Sequence, residues 1–136
     1  MNGRLKQLER FHGHLGPYVV LGYKMGEIAI QMLGPDPFTK NVVVWAGTTP
    51  PISCIIDGIQ MSSGCTLGKG NILVKPDGIP KACFSNGDGK HVEIELKNSV
   101  KHEIDKMVTE ENMASYSKQL FQKPNQKLFE ILVNYG

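Results

Sequence analysis

No Cys-X-X-Cys pair occurs anywhere in the 136 residues, which excludes the common iron–sulfur and zinc-ribbon spacings. Also missing are G-X-G-X-X-G, G-X-S-X-G and any protein-kinase signature, so dinucleotide binding, the hydrolase elbow and kinase chemistry have no support. No apolar run approaches the roughly 20 residues that a bilayer span needs. The opening Met-Asn-Gly-Arg-Leu-Lys-Gln has no apolar signal core, and the cytoplasm is the expected location. The formal net charge is only +2 and the lysines are scattered, which argues against a nucleic-acid or membrane surface. There are three cysteines, an odd number in a chain without a secretory signal, so reduced thiols are expected rather than a disulfide framework.

What is present is ordinary globular material. With 40% hydrophobic and 21% charged residues, the chain has enough apolar surface for a core without staples. No internal repeat, low-complexity tract or linker divides it, so residues 1–136 read as a single domain.

The most informative run is Phe11-His12-Gly13-His14-Leu15-Gly16-Pro17. Side chains two apart on an α-helix point about 200° apart, so His-X-His cannot converge from within one. In an extended or irregular segment both rings can fall on one side. Gly13 and Gly16 supply backbone freedom, and Pro17 suits a first helical position. The pair looks like a metal site in want of a third ligand. Two histidines can equally cap a turn or bond to backbone carbonyls.

The spacing predicts a short helix over Asn2 to Arg10 and a mostly apolar one over Pro17 to Leu33, stopped by Gly34-Pro35. Gly22 and Gly26, one turn apart, would let another backbone approach. Asn41 to Ala46 reads as an interior strand. Ile52 to Ser63 reads as a helix with Ile52, Ile55, Ile56 and Ile59 as its core stripe. Strands follow near Asn71 to Lys75, Lys81 to Ser85 and His91 to Lys97, the last two joined by the hairpin signal Asn86-Gly-Asp-Gly89. Beyond Asn98 the pattern turns helical to the end, with Met113, Tyr116 and Leu120 on one stripe and Leu128, Ile131, Leu132 and Tyr135 on another. The expected class is α+β, helices packed on a mainly antiparallel sheet.

On the Ile52–Ser63 helix, Cys54, Asp57 and Met61 fall opposite the isoleucines, at spacings of three and four. A thiol, a carboxylate and a thioether in place of lysines and glutamates suggest that this face looks into a pocket or a partner. Alone, Cys54 reads equally as a small buried hydrophobe. Paired with His12 and His14 it makes a Cys-His-His set suited to zinc or another borderline transition metal, with one position open. The loop Gly64-Cys-Thr-Leu-Gly-Lys-Gly70 offers exposed amides plus Lys69 and Thr66, with Gly68 and Gly70 giving close approach, as an anion-binding loop would. It is not a Walker A loop, and a tight helix-to-strand connection explains it as well. Cys65 can add a second thiolate or be buried; Cys83, His91 and His102 read as structural or solvated.

The stretches 11–17, Leu-Gly-Tyr-Lys-Met-Gly at 21–26, Cys-Ile-Ile-Asp-Gly-Ile-Gln at 54–60 and Ser-Gly-Cys-Thr-Leu-Gly-Lys-Gly-Asn at 63–71 together resemble the FmdE-like family of formylmethanofuran dehydrogenase proteins. The match covers the first half of the chain in order and spacing, and is loose from Pro80 onward. The resemblance implies an α+β core forming an intertwined homodimer, with a metal held by His12, His14 and Cys54, and Cys65, Asp57 and Lys69 nearby. Many members have cysteine where this chain has Gly16, so any role for that thiol is absent. Many also carry a C-terminal zinc finger; with no cysteine beyond Cys83 this chain resembles the core-only form, and roles proposed for that finger do not transfer.

Three functions follow as expectations. The first is a metal-binding accessory protein, its divalent ion expected to be zinc, taking a small anionic or pterin-like ligand with help from Lys69 and the glycine loop. The second is a metal-dependent enzyme that activates a bound water for hydrolysis or polarises a carbonyl, with Asp57 or Glu27 moving protons. The third is a structural subunit of a larger molybdenum or tungsten redox complex.

Overall fold

The structure, a computed structural model, describes residues 2–135. Helix α1 (Gly3–His12) opens on Asn2, whose side chain accepts from the Leu5 amide, and it buries Leu5 and Leu8. It runs two residues further than its sequence pattern predicts. The stop is Gly13, a C-cap in the left-handed region at φ 106°, whose amide bonds back to Glu9. Helix α2 (Pro17–Leu33) begins on the expected proline and is buried along most of its length, with Val19, Val20, Leu21 and Met25 fully enclosed.

Strand β1 (Lys40–Val44) leads through a loop and a 3₁₀ turn (Ile52–Cys54) into α3 (Ile55–Ser63). Beyond the glycine-rich loop comes β2 (Ile72–Val74), then the hairpin of β3 (Lys81–Asn86) and β4 (Lys90–Leu96). The remainder holds α4 (Asn98–Met107), α5 (Met113–Gln122), a short α6 (Asn125–Leu128) and β5 (Phe129–Tyr135).

These strands form one sheet in the order β2-β1-β3-β4-β5. Strands β1 and β2 run parallel, because α3 carries the chain across between them; the other pairings are antiparallel. The architecture is therefore α+β on a mainly antiparallel mixed sheet. Val42, Phe84 and Val92 line up across β1, β3 and β4, as do Val44, Ala82 and Ile94, and all six are buried in the core that α2 shares.

Strand β5 corrects the expected terminal helix. Leu128, Ile131, Leu132 and Tyr135 fit helical spacing, yet Phe129, Ile131 and Val133 also alternate, and they pair with Leu96, Ile94 and Val92. Two periods compete in these few residues. The strand wins because it satisfies the edge of β4, whose backbone groups on that side otherwise have no partner in the sheet.

Helices α2 and α3 pack backbone to backbone. A Cβ at Gly22 would lie 2.0 Å from the Ile55 carbonyl oxygen, and one at Gly58 would lie 2.1 Å from the Val19 carbonyl oxygen. A Cβ at Gly26 would meet Ser62 Oγ at 1.8 Å. Helix propensity alone favours Gly58→Ala by about 1 kcal/mol. Collision with a backbone oxygen outweighs that, because a main chain yields less readily than a flexible side chain. We expect Gly58→Ala to lose about 1–3 kcal/mol or more in urea unfolding. Gly3→Ala, with nothing within 4 Å of its new Cβ, should unfold at or slightly above the wild-type midpoint.

Candidate metal centre

Helix ends converge on one cavity. His12 is the last residue of α1, His14 follows the Gly13 cap, and Gly16 caps the N-terminus of α2. The backbone reversal at Gly13 swings His14 back toward His12, so the two rings lie 5.0 Å apart between centroids at 42°. His-X-His converges here because the pair straddles a helix end.

From the other side comes Cys54, at the junction of the 3₁₀ turn and α3. All three side chains line a cavity of about 210 Å³, with Tyr18 and Val19 from α2. Its far wall is Ile104, Asp105 and Val108 from α4 and its exit, and Met113 from the start of α5. The three ligand candidates expected from the sequence thus share one space. Among the described residues, no three His, Cys, Asp or Glu side chains are already drawn close enough to grip an ion.

Asp57 sits one turn beyond Cys54 on α3. Its carboxylate accepts from His12 Nδ1 at 2.6 Å, with the histidine side chain 10% exposed. That bond fixes the tautomer, leaving the His12 Nε2 lone pair free, the arrangement in which carboxylates orient metal-binding histidines. The partnership is half visible in the sequence, where Asp57 shares a helix face with Cys54. The pairing with a residue 45 positions earlier has no local signal.

Burial pushes the Cys54 thiol above its usual pKa, and the neighbouring Asp57 charge pushes it further. Tyr18 is raised as well, chiefly by burial, and its hydroxyl donates to Asp105 at 3.2 Å. Asp105 also accepts from Lys101 at 2.6 Å, one turn back along α4.

The other candidates are placed elsewhere. Cys65 is fully buried in the core, its thiol also raised by burial, and does not line the cavity. Glu27 pairs with Arg4. In the glycine-rich loop, the Thr66 amide donates to Asn71 Oδ1, the Leu67 amide to Gln60 Oε1, and the Lys69 amide to Thr66. Most of the loop's donors are thus engaged internally, while Lys69 stands exposed over the Phe38 ring at 5.7 Å from its centroid. Gly68 and Gly70 are exposed with it, and the structure does not bring Thr66, Gly68, Lys69 or Gly70 to the cavity.

A helix-lined sheet with histidines and a cysteine gathered at converging helix ends defines a small α+β protein with a candidate metal-binding cavity. Residues 11–134 match the family described as FmdE, molybdenum formylmethanofuran dehydrogenase operon, and the chain belongs to that family. A solved structure of an FmdE-like protein of tungsten formylmethanofuran dehydrogenase, from Syntrophus aciditrophicus, shares the fold at a TM-score of 0.69 and 18% identity. It matches 98% of this chain and 71% of its own. A curated relative from Archaeoglobus fulgidus, a probable S-adenosyl-L-methionine-binding protein, is 32% identical over 74 residues. That match spans 51% of this chain and 19% of the relative.

A raised thiol pKa means less thiolate at neutral pH. Cys54 should therefore alkylate more slowly at pH 7 than a solvated cysteine, accelerating only above the ordinary thiol range. Peptide-resolved mass spectrometry after iodoacetamide pulses measures this; rapid labelling at pH 7 would mean that something lowers the thiol instead.

Proposed function

We propose that this chain is a metal-binding accessory protein of the FmdE family, with His12, His14 and Cys54 as the protein ligands of one divalent transition metal. The observation that carries the reading is the shared cavity: residues 12, 14 and 54 come from separate elements yet line one space. The donors suit the group, because two imidazoles and a thiolate form the borderline set that zinc takes, with a fourth position left for an incoming ligand. Zinc is the first expectation. In this reading Asp57 holds His12 in the ligating tautomer, and ligation draws the three side chains together around the ion. When bound, the metal would supply Lewis acidity to whatever enters the open position.

Size bears on that ligand. About 210 Å³ lies below the roughly 300–1,000 Å³ of drug-sized binding sites, so only a small ligand or the reactive end of a larger one fits. A more open hollow of about 550 Å³ adjoins it across Pro51, at the ends of parallel β1 and β2, bordered by Gly47, Thr48, Thr49 and Gly78. That is the side of a parallel pair on which ligands usually bind. We assign the body of an anionic or pterin-like ligand to this hollow and its metal-binding end to the space past Pro51. The same hollow is the one route by which the S-adenosyl-L-methionine binding named for the Archaeoglobus relative would extend to this chain. The glycine-rich loop enters only as the turn from α3 to β2.

The family description supports association with formylmethanofuran dehydrogenase-type subunits. The outer sheet face, where Leu73 is 53% and Leu132 55% exposed beside Val43 and Cys83, supports a homodimer or such a partner. No helix among the described residues is long and apolar enough to cross a membrane.

Purified wild-type protein should carry close to one metal per chain by elemental analysis, and His14→Ala and Cys54→Ala should carry almost none. Asp57→Asn should retain the site but bind about 10–100-fold more weakly, as loss of an orienting carboxylate does. Metal content unchanged in both alanine variants sinks the proposal.

A further inference from the structure

Gly16 leaves a gap beside His14, and a sulfur borders it. A Cβ built at Gly16 would stand 3.1 Å from His14 Nε2, and the same point lies 3.8 Å from Met113 Sδ. An imidazole nitrogen and a thioether therefore approach one spot, in the wall of the cavity that Cys54 also lines. Met113 opens α5, and the far end of that helix is fastened down. Lys24, buried in α2, donates to the carbonyls of Phe121 and Lys123 at 2.9 Å each. The thioether is thus carried on an element anchored to the helix that follows the histidines.

We propose that Met113 is a fourth protein donor to this site, taking the place that the absent side chain at Gly16 leaves, and that the resulting His-His-Cys-Met set favours copper(I) over zinc. The proposal rests on the metal-site reading above and refines it. Thioether sulfur is a soft, neutral donor that adds to copper(I) binding, whereas protein zinc is held by thiolate, imidazole and carboxylate. The surroundings point the same way. Val19, Ile104 and Val108 make much of the wall apolar, and removing a monovalent ion from water costs far less than removing a divalent one. A copper(I) ion beside one thiolate is also locally neutral.

The test is anaerobic titration of the full chain with copper(I) against bathocuproine disulfonate, and with zinc(II) against a colorimetric chelator. Met113→Leu keeps the volume with little disturbance expected to packing. It should weaken copper(I) by at least about tenfold, the lower end of what even indirect contacts to a metal contribute, and leave zinc affinity where it was. X-ray absorption at the copper edge should count two sulfur neighbours in the wild type and one in Met113→Leu. Gly16→Cys should raise zinc affinity and make a further Met113→Leu change silent, since the new thiolate occupies the thioether's place. One sulfur in the wild type, or equal loss of both metals in Met113→Leu, overturns the role of Met113. If His14→Ala binds both metals as tightly as wild type, the underlying site is what has failed.

Discussion

The contact between α2 and α3 is the constraint on which the site depends. Gly22 and Gly58 remove the side chains that would hold the helices apart, so a backbone carbonyl of each helix fits where a Cβ would stand. Helices packed through larger residues keep their axes about 8–10 Å apart. Bringing them closer draws the beginning of α3 toward the beginning of α2, and Cys54 and the two histidines sit at those beginnings. With the helices spread by even one methyl group, the thiol would retreat from the imidazoles. The glycines set a distance between functional groups that none of them touches.

A second layer of constraint works through hydrogen bonds to helix ends. Lys24 supplies its ammonium to the last carbonyls of α5, which would otherwise be unsatisfied inside the protein. Lys40, fully buried, does the same for the Gly34 and Asp36 carbonyls after α2. Both lysines tie loop-like chain to the rigid centre, and the first of them fixes the wall opposite the histidines. The cavity is therefore closed by α4 and α5 through polar tethers rather than by a second core. Such walls open at lower free energy than the sheet beneath them.

Much of this is legible in the sequence, and what is not has physical reasons. The His-Gly-His run, the opposed face of α3 and the two close-approach glycines of α2 are local patterns, and each predicts its own geometry. Cys54 and His12 meet because a helix carries one and a helix end presents the other, which spacing reveals. The last strand is hidden because its residues obey a period of two and a helical period at once, and only the open edge of β4 decides between them. Asp57 reads as a free carboxylate because its partner lies far away in sequence. Met113 reads as part of a core stripe, which its helix indeed forms with Leu120; what its sulfur faces follows from where α5 docks, and no residue spacing around it says so. The glycine-rich loop misleads for the opposite reason. Its composition promises free amides, but the side chains of Asn71, Gln60 and Thr66 consume three of them.

Asp57 acts on the cavity in two opposed ways, and the balance between them favours a cation. Its charge raises the Cys54 pKa, so without an ion the thiol stays protonated and the space is unsuited to anions on that side. Its hydrogen bond meanwhile aligns His12 with the Nε2 lone pair unspent. A metal ion reverses the first effect: the thiol loses its proton, and the repulsion between thiolate and carboxylate gives way to attraction of both toward the ion. The carboxylate that opposes the thiolate when no cation is present thus supports it when one is. A neutral side chain at position 57 would relieve the first effect and forfeit the second, which is why a carboxylate beside a cysteine, at a position where either alone would be unremarkable, is the arrangement a cation site requires.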